Sequence, residues 1–345
     1  MIPKEQLDEI KKELVECQNP FFFFHDDPDG LCSFLLLRKF KGEGEGRMVK
    51  PRPIIDESFI RFVPDDCDKI FIVDIAIVTP EFIENVKKKI VWIDHHAPRE
   101  AKGCKYFNPR IQNPDEYTPA SAVCYEAVKS DDQDLLLGML GSVGDLGDEQ
   151  PFYKDFFERF RELVDGYRDK WDLVFRTKLG QLTKVLEFNL KGTTREMNRA
   201  IDIFTRAKDF TKFLNPETAD EKFVHDKYLK VKEEYDPNLI EALKKEKDSG
   251  EVFVFIYEEK NFALGSDLAQ EIPYRMPNKK MDIICRRKMD HHICSLRTGQ
   301  GVDLVKFLKK ALKEVNGLGG GHPFAAGCEI KSSDFERFVE LAREE

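Results

Sequence analysis

The chain has 345 residues, 41% hydrophobic and 34% charged, with a formal net charge of −9 and a mean hydropathy of −0.48. Its length suggests two or three domains, each able to bury a core, and its composition excludes collagen-like, coiled-coil and disordered classes. The longest apolar runs are far short of the roughly 20 residues that cross a bilayer, and the opening MIPKE lacks the apolar core of a secretory signal, so a cytoplasmic setting is expected.

Residues 3–17 place Leu7, Ile10, Leu14 and Val15 among charges at a helical period, and Asn19 and Pro20 end that helix. Phe21 to Phe24 read as a short buried strand, too aromatic and too brief for a helix. It runs into the polar turn HDDPDG (25–30), then a helix over 31–40 and a turn at KGEGEG (41–46). Strand, polar turn and helix open a parallel α/β unit. The unit recurs. KIFIVDI (69–75) is a strand with Asp74 at its C-terminal end, Thr79 caps a helix with Pro80 in its first turn, and KIVWI (89–93) is a strand ending in Asp94-His95-His96. Helices are predicted over 120–128 and 135–140, followed by a glycine-rich loop, GSVGDLGD (141–148).

Strand signals then fade, and 151–246 reads as a helical insertion or linker with a charged, solvated surface. They return at VFVFIY (252–257), and MDIICRRK with HHICSLRT reads as a hairpin. A helix over 303–315 and a glycine loop at 317–321 lead to His322. The predicted fold is α/β: a parallel-sheet domain over 1–150, the insertion over 151–246, and a smaller α/β domain over 247–345.

The eight cysteines contain no C-x-x-C pair, which argues against a zinc ribbon; they are expected as buried free thiols in a reducing compartment. Residues 251–345 hold 15 basic and 15 acidic side chains, so the acidic excess belongs to 1–250. An acidic body suits a nuclease when carboxylates hold metal in one place and cations hold phosphate in another.

In an open parallel sheet the carboxyl ends of the strands share one rim, where ligands bind. That rim would gather His25, Asp27, Asp29, Asp74, Asp94, His95 and Asp145. A turn or a cap accounts for Asp27 or Asp148 taken singly. Asp74 and the Asp94-His95-His96 triplet are harder to dismiss, because a charge at a buried strand end needs a partner. Carboxylates and imidazoles without thiolates suit Mn²⁺ or Mg²⁺ better than structural zinc. A central carboxylate can bridge two such ions, which together activate water against a phosphodiester.

These motifs resemble the DHH phosphoesterase superfamily with a DHHA1 C-terminal domain. Asp94-His95-His96 matches the name-giving triplet, HDDPDG (25–30) its first motif, IVD (72–74) its second, GSVGD (141–145) its fourth, and GGGHPFAAG (319–327) the DHHA1 signature. The pyrophosphatase and oligonucleotide-degrading branches resemble H-x-N-P-D-x-D, but Leu31 stands at the last of those positions here and cannot ligate metal. The acids at Asp27 and Asp29 are similar to D-x-D-x-D-G of the RecJ-like nuclease branch, with His25 in place of its first Asp. That branch includes archaeal RecJ-like proteins and the Hef-associated nuclease.

The resemblance implies two divalent ions, Mn²⁺ or else Mg²⁺, held by His25, Asp27, Asp29, Asp74, His95 and Asp145, with Asp74 bridging. His96 would face the scissile phosphate, and Asp94 would orient the histidines. Arg297, Gly319, Gly320, Gly321 and His322 would bind substrate through backbone N–H groups and a forked cation. Tyr274 and Phe324 are available for base stacking, although aromatics more often go to the core. A second triplet, Asp290-His291-His292, lacks strand-end acids around it and reads as an ordinary exposed turn. The expected activity is a metal-dependent single-strand exonuclease that cuts ssDNA or ssRNA to 5′-mononucleotides in DNA repair or replication. A repair or replication helicase is its expected protein partner. Two other readings stay open: a phosphodiesterase for short oligonucleotides or cyclic dinucleotides, which Leu31 disfavours, and a non-catalytic repair scaffold, which the near-complete ligand set disfavours.

Overall fold

A strand buried on both faces needs apolar residues at successive positions, not alternate ones. Phe21 to Phe24 meet that need within β1 (Pro20–His25), each at most 4% exposed. Phe22 and Phe24 pack on Phe34 of α2 (Pro28–Lys41), with ring centroids 5.4 and 4.6 Å apart. Phe21 and Phe23 face the other way, into a cluster with Ile70, Ile72, Phe82 and Trp92. The structure is a computed structural model that describes residues 2–50, 53–147, 149–245, 250–299 and 301–345. Asp148 and the expected domain boundary at 246/247 lie outside the described residues.

The chain divides into two compact units, 1–228 and 229–345. The first begins with α1 (Lys4–Glu16), β1 and α2, and continues through β2 (Glu45–Val49), β3 (Ile54–Ile55), β4 (Lys69–Val73) and β5 (Ile77–Val78). Next come α3 (Pro80–Asn85), β6 (Lys89–Ile93), β7 (Lys105–Phe107), α4 (Ala120–Val128) and α5 (Asp132–Gly144). Its main sheet has the order β2-β1-β4-β6-β7, every pair parallel; β3 and β5 form a separate parallel pair. Thr79 Oγ1 accepts the Phe82 N–H as the N-cap of α3, with Pro80 at the first turn. After α5 the described elements of the unit are all helical: α6 (Phe152–Arg159), α7 (Lys170–Phe175), α8 (Lys178–Asn189), α9 (Thr194–Arg206) and the start of α10 (Ala219–Lys245).

The second unit holds β8 (Val252–Tyr257), α11 (Gly265–Arg275), β9 (Met281–Lys288), β10 (His291–Arg297), α12 (Leu304–Ala311), β11 (Gly317–Gly321), β12 (Ala325–Lys331) and α13 (Phe335–Glu344). Its sheet is mixed, in the order β11-β12-β10-β9-β8, with only β8 and β9 parallel. No described helix is long and apolar enough to cross a membrane.

Five local expectations need correction. Gly141 to Gly144 do not form a loop; they finish α5, because a Cβ at Gly141 would meet Ser121 Oγ at 2.4 Å, and glycine lets α5 and α4 approach. Residues 317–321 form edge strand β11 instead of a loop, paired with β12 from Gly317↔Ile330 to Gly321↔Ala326. The turn expected at 41–46 gives way to β2 from Glu45 onward. Cys285 and Cys294 are not free thiols: they face each other in register across β9 and β10, with Cα atoms 4.1 Å apart, and form a disulfide. Cys17, Cys32, Cys67, Cys104, Cys124 and Cys328 are free. In the second triplet Asp290 is exposed, but His292 is 2% exposed and stacks on Phe335 at 4.0 Å, so it serves the core.

Gly30 gives a direct packing test. A Cβ there would lie 2.6 to 2.8 Å from His25 N, O and Cβ. Replacing it with Ala must push α2 off the end of β1, at a cost of about 1–3 kcal/mol. Gly30→Ala is expected to lower the thermal midpoint and weaken divalent-ion affinity together, measured by calorimetric melting and titration. An unchanged melting curve would contradict this packing.

Candidate metal centre

Parallel strands end on one rim, and four strands of the main sheet deliver a polar residue there. β1 ends at His25, β4 is followed by Asp74, β6 by Asp94-His95-His96, and β7 by Asn108. The ladder continues past the strand ends, with Asp74 N–H donating to Ile93 O at 2.9 Å and Asp94 N–H to Phe107 O at 3.0 Å. Asp74 sits at φ 56°, a left-handed conformation that a residue with a Cβ seldom takes and that marks local strain.

The strain sets Asp74 at the middle of the cluster. Its Oδ2 lies 3.3 Å from His25 Nδ1 and its Oδ1 3.2 Å from His95 Nε2. Three overlapping groups of ligand-type atoms result: His25, Asp27 and Asp74; Asp29, His95 and Asp145; and, between them, Asp74, His95 and His96. His25 Nδ1 also meets Asp27 Oδ2 at 2.6 Å, and His95 Nε2 meets Asp145 Oδ2 at 3.4 Å and Asp29 Oδ2 at 3.9 Å. All six predicted ligands therefore stand together. Asp27 Oδ1 also accepts the Gly30 N–H as the N-cap of α2. Both Asp29 oxygens accept N–H groups at the start of α4, from Ala120 and Ser121 at 2.8 Å, which fixes its carboxylate toward the cluster.

Asp94 is fully buried and holds His96 Nδ1 at 2.7 Å. His96 Nδ1 is 3.8 Å from Asp74 Oδ1, so that nitrogen is engaged with Asp94 rather than with the central carboxylate. Three neighbours had no sequence signal. Tyr117 sets its ring edge-on to His95 at 5.3 Å, while Tyr106 and Asn108 both approach Asp94 Oδ2 at 3.4 Å. Tyr117 lies in irregular chain ahead of α4, where neither periodicity nor a motif distinguishes it.

The electrostatics are those of a site built for cations. Burial raises Asp29 far above the usual carboxylate range, and the neighbouring Asp74 charge adds to it. Burial likewise lifts Asp145 to about 6. Burial would raise Asp74 too, but the imidazoles of His25 and His95 hold it well below its usual value. Burial opposes protonation of His25 and His95, yet Asp27 with Asp74, and Asp145 with Asp74, push the two rings well above their usual values. Both Asp74 oxygens, Asp145 Oδ2 and His95 Nδ1 are buried without a well-formed hydrogen bond. Buried carboxylate oxygens in that condition are costly unless something positive meets them. Oxygen and imidazole donors without thiolate fit a hard or borderline divalent ion. The residues present thus fit divalent metal, and binding it would release the imidazole protons.

In the second unit, Arg297 ends β10 opposite Ala325, and Gly321 pairs with Ala326. His322 N–H donates to Ala325 O at 2.7 Å, so Arg297, Gly321 and His322 stand at one end of this sheet, while Gly320 and Gly319 run from there toward the middle of β11. Phe324, expected in the core, is instead 69% exposed beside them, while Tyr274 is half-buried. Asp282 lies in register with Arg297 and is 2% exposed, with Oδ1 unpaired. Burial lifts its carboxyl to about 7, against the pull of Lys279 and Arg297. Between its ordinary value and pH 7 the folded state holds a proton that the unfolded state has lost. Stability therefore falls as pH rises through that window and levels off above it. Asp282→Asn is expected to remove this dependence and stabilise the protein by a few kcal/mol at pH 8, with no gain at pH 4, in denaturant titrations. Parallel pH profiles for both proteins would contradict it.

The family model described as "DHH family, N-terminal domain" matches residues 21–140, and the one described as "DHHA1 domain" matches 227–345. None of the curated proteins matches the chain. Among solved structures it is similar to RecJ of Thermus thermophilus in complex with Mn²⁺, with a TM-score of 0.72 and 15% identity over 99% of this chain. The chain spans 54% of that protein's length. An exonuclease RecJ bound to manganese has a TM-score of 0.66 and 14% identity, covering 99% of this chain and 94% of that one. The DHH domain of a protein described as a member of a family of ribosomal proteins has a TM-score of 0.67 and 17% identity, covering 99% and 89%.

Proposed function

The chain belongs to the DHH superfamily of phosphoesterases, with a C-terminal DHHA1 domain, and we propose that it is a divalent-metal-dependent exonuclease acting on single-stranded nucleic acid. The observation that carries this reading is the placement of Asp74 between two imidazoles, Oδ2 toward His25, which shares a group with Asp27, and Oδ1 toward His95, which shares one with Asp29 and Asp145. Asp74 would bridge two ions, Mn²⁺ or Mg²⁺, with His25 and Asp27 on one and Asp29, His95 and Asp145 on the other. Bound there, such a pair supplies an acidified water and offsets charge on the phosphate.

The chain's own residues do the rest. His96, held at Nδ1 by Asp94, is oriented to give a proton to the leaving oxygen. Tyr106 and Asn108 fix Asp94 in turn. Water adds to phosphorus, the bond from phosphorus to the 3′ oxygen breaks, and that oxygen takes the proton, leaving a 5′-mononucleotide. Arg297, His322 and the backbone of Gly319 to Gly321 bind the nucleotide, with exposed Phe324 available for a base. A role in DNA repair or replication, alongside a helicase, fits this activity.

Digestion of end-labelled DNA and RNA single strands with Mn²⁺ or Mg²⁺ tests the reading. Progressive release of 5′-mononucleotides is expected. Intact long strands with rapid turnover of dinucleotides or cyclic dinucleotides would replace it with the short-substrate phosphodiesterase.

A further inference from the structure

Val49, the last residue of β2, pairs with His25, so Lys50 stands at the rim that carries the metal centre. A groove of about 570 Å³ extends from Lys50 back along β2 to Gly44, on the side where β2 has no partner strand among the described residues. Its walls are the 3₁₀ turn Glu57–Phe62 and α9. Lys50 is within electrostatic reach of both Asp26 and Lys191, which ties this end of the groove to the turn after β1.

The groove's chemistry is uneven. Phe62 carries two arginines, with Arg47 3.6 Å and Arg61 4.7 Å from the ring centroid. Both arginines are exposed, and neither has a carboxylate partner among the described residues. Glu45 and Asp202 are the acids lining the groove, and Asp202 is held by Arg206 at 3.0 Å. Arg38 is engaged by the carbonyls of Gly44 and Thr205 and serves the wall. Two unneutralised guanidiniums on one ring repel each other, and an anion relieves that repulsion. A forked cation suits a phosphate, and aromatic and guanidinium planes suit a base. A peptide adding to the free edge of β2 would meet the same floor, but Arg47, Lys50 and Arg61 favour a polyanion.

We propose that this groove carries the single strand beyond the nucleotide being cleaved, with Arg47, Phe62 and Arg61 as its anchor. This rests on the reading of the rim as a nuclease centre and adds the path of the polymer to it. The test compares wild type with Arg47→Ala/Arg61→Ala on a labelled 12-nucleotide strand and on a dinucleotide. Affinity for the 12-mer, read by fluorescence anisotropy in EDTA, is expected to fall at least tenfold. The slope of log affinity against log salt should shrink by about 1.4, roughly 0.7 for each lost phosphate contact. Dinucleotide turnover with Mn²⁺ should stay within twofold. The charge-keeping Arg47→Lys/Arg61→Lys pair should recover most of the salt slope but only part of the affinity. Unchanged 12-mer affinity, or equal losses on both substrates, overturns the proposal; the first result would leave the edge of β2 to a peptide. Arginine-dependent binding by a wild type that cuts neither substrate would instead sink the nuclease reading and leave the groove standing.

Discussion

Asp74→Asn is expected to abolish measurable hydrolysis, a loss on the order of a thousandfold or more, together with divalent-ion binding. The substitution keeps the volume of a fully enclosed side chain, so the fold should survive. What it removes is the negative charge that both halves of the cluster share, at 3.3 Å from His25 and 3.2 Å from His95. Neither half keeps enough charge density to hold an ion against water, and several kcal/mol of transition-state stabilisation go with the ions. The left-handed backbone at Asp74 adds a second signature, because Asn tolerates that conformation well. A folded, inactive and metal-free variant is therefore the expected outcome, read by thermal melting, calorimetric titration with Mn²⁺ and strand digestion. Retained tight binding of two ions would contradict the central place given to Asp74.

His96→Gln is expected to separate binding from chemistry. Its Nδ1 is 2.7 Å from Asp94 and 3.8 Å from Asp74, and although His96 falls in one group of ligand-type atoms with Asp74 and His95, the Asp94 contact fits the proposed proton donor better than a ligand. Removing a positioned proton donor costs roughly a hundredfold to ten-thousandfold in turnover. Ion stoichiometry and melting temperature should hardly change. A substrate whose leaving group needs no proton, such as a p-nitrophenyl ester of a nucleotide, should recover much of the lost rate. Loss of metal binding in His96→Gln would move His96 into the ligand set, and an equal loss on the activated ester would deny it the proton-donor role.

Three strands of the first sheet, β1, β4 and β6, were legible because they are apolar runs followed by a histidine or an acid, whereas β2 (EGRMV) and β7 (KYF) carry no such run. A run such as KIFIVD has one economical explanation: a strand covered on both faces, with a site at its end. Glycine misled wherever it served packing rather than turning. Gly46 lies within β2 because a Cβ there would be 2.5 Å from the Phe34 ring, and Gly141 lets α5 pass Ser121. The same holds for β11, whose five residues include four glycines yet pair regularly with β12. Tyr117 and Asn108 were invisible because irregular chain has no period to betray which side chain turns inward. Phe324 shows the converse error, an aromatic assigned by habit to the core that stands on the surface beside His322.

Crystals grown with Mn²⁺ and measured at the manganese absorption edge address the whole account at once. Two anomalous peaks are predicted for each chain, one against His25, Asp27 and Asp74, the other against Asp29, His95 and Asp145, with Asp74 touching both. A single peak, or none at this rim while the protein still degrades single strands, would contradict the paired-ion centre.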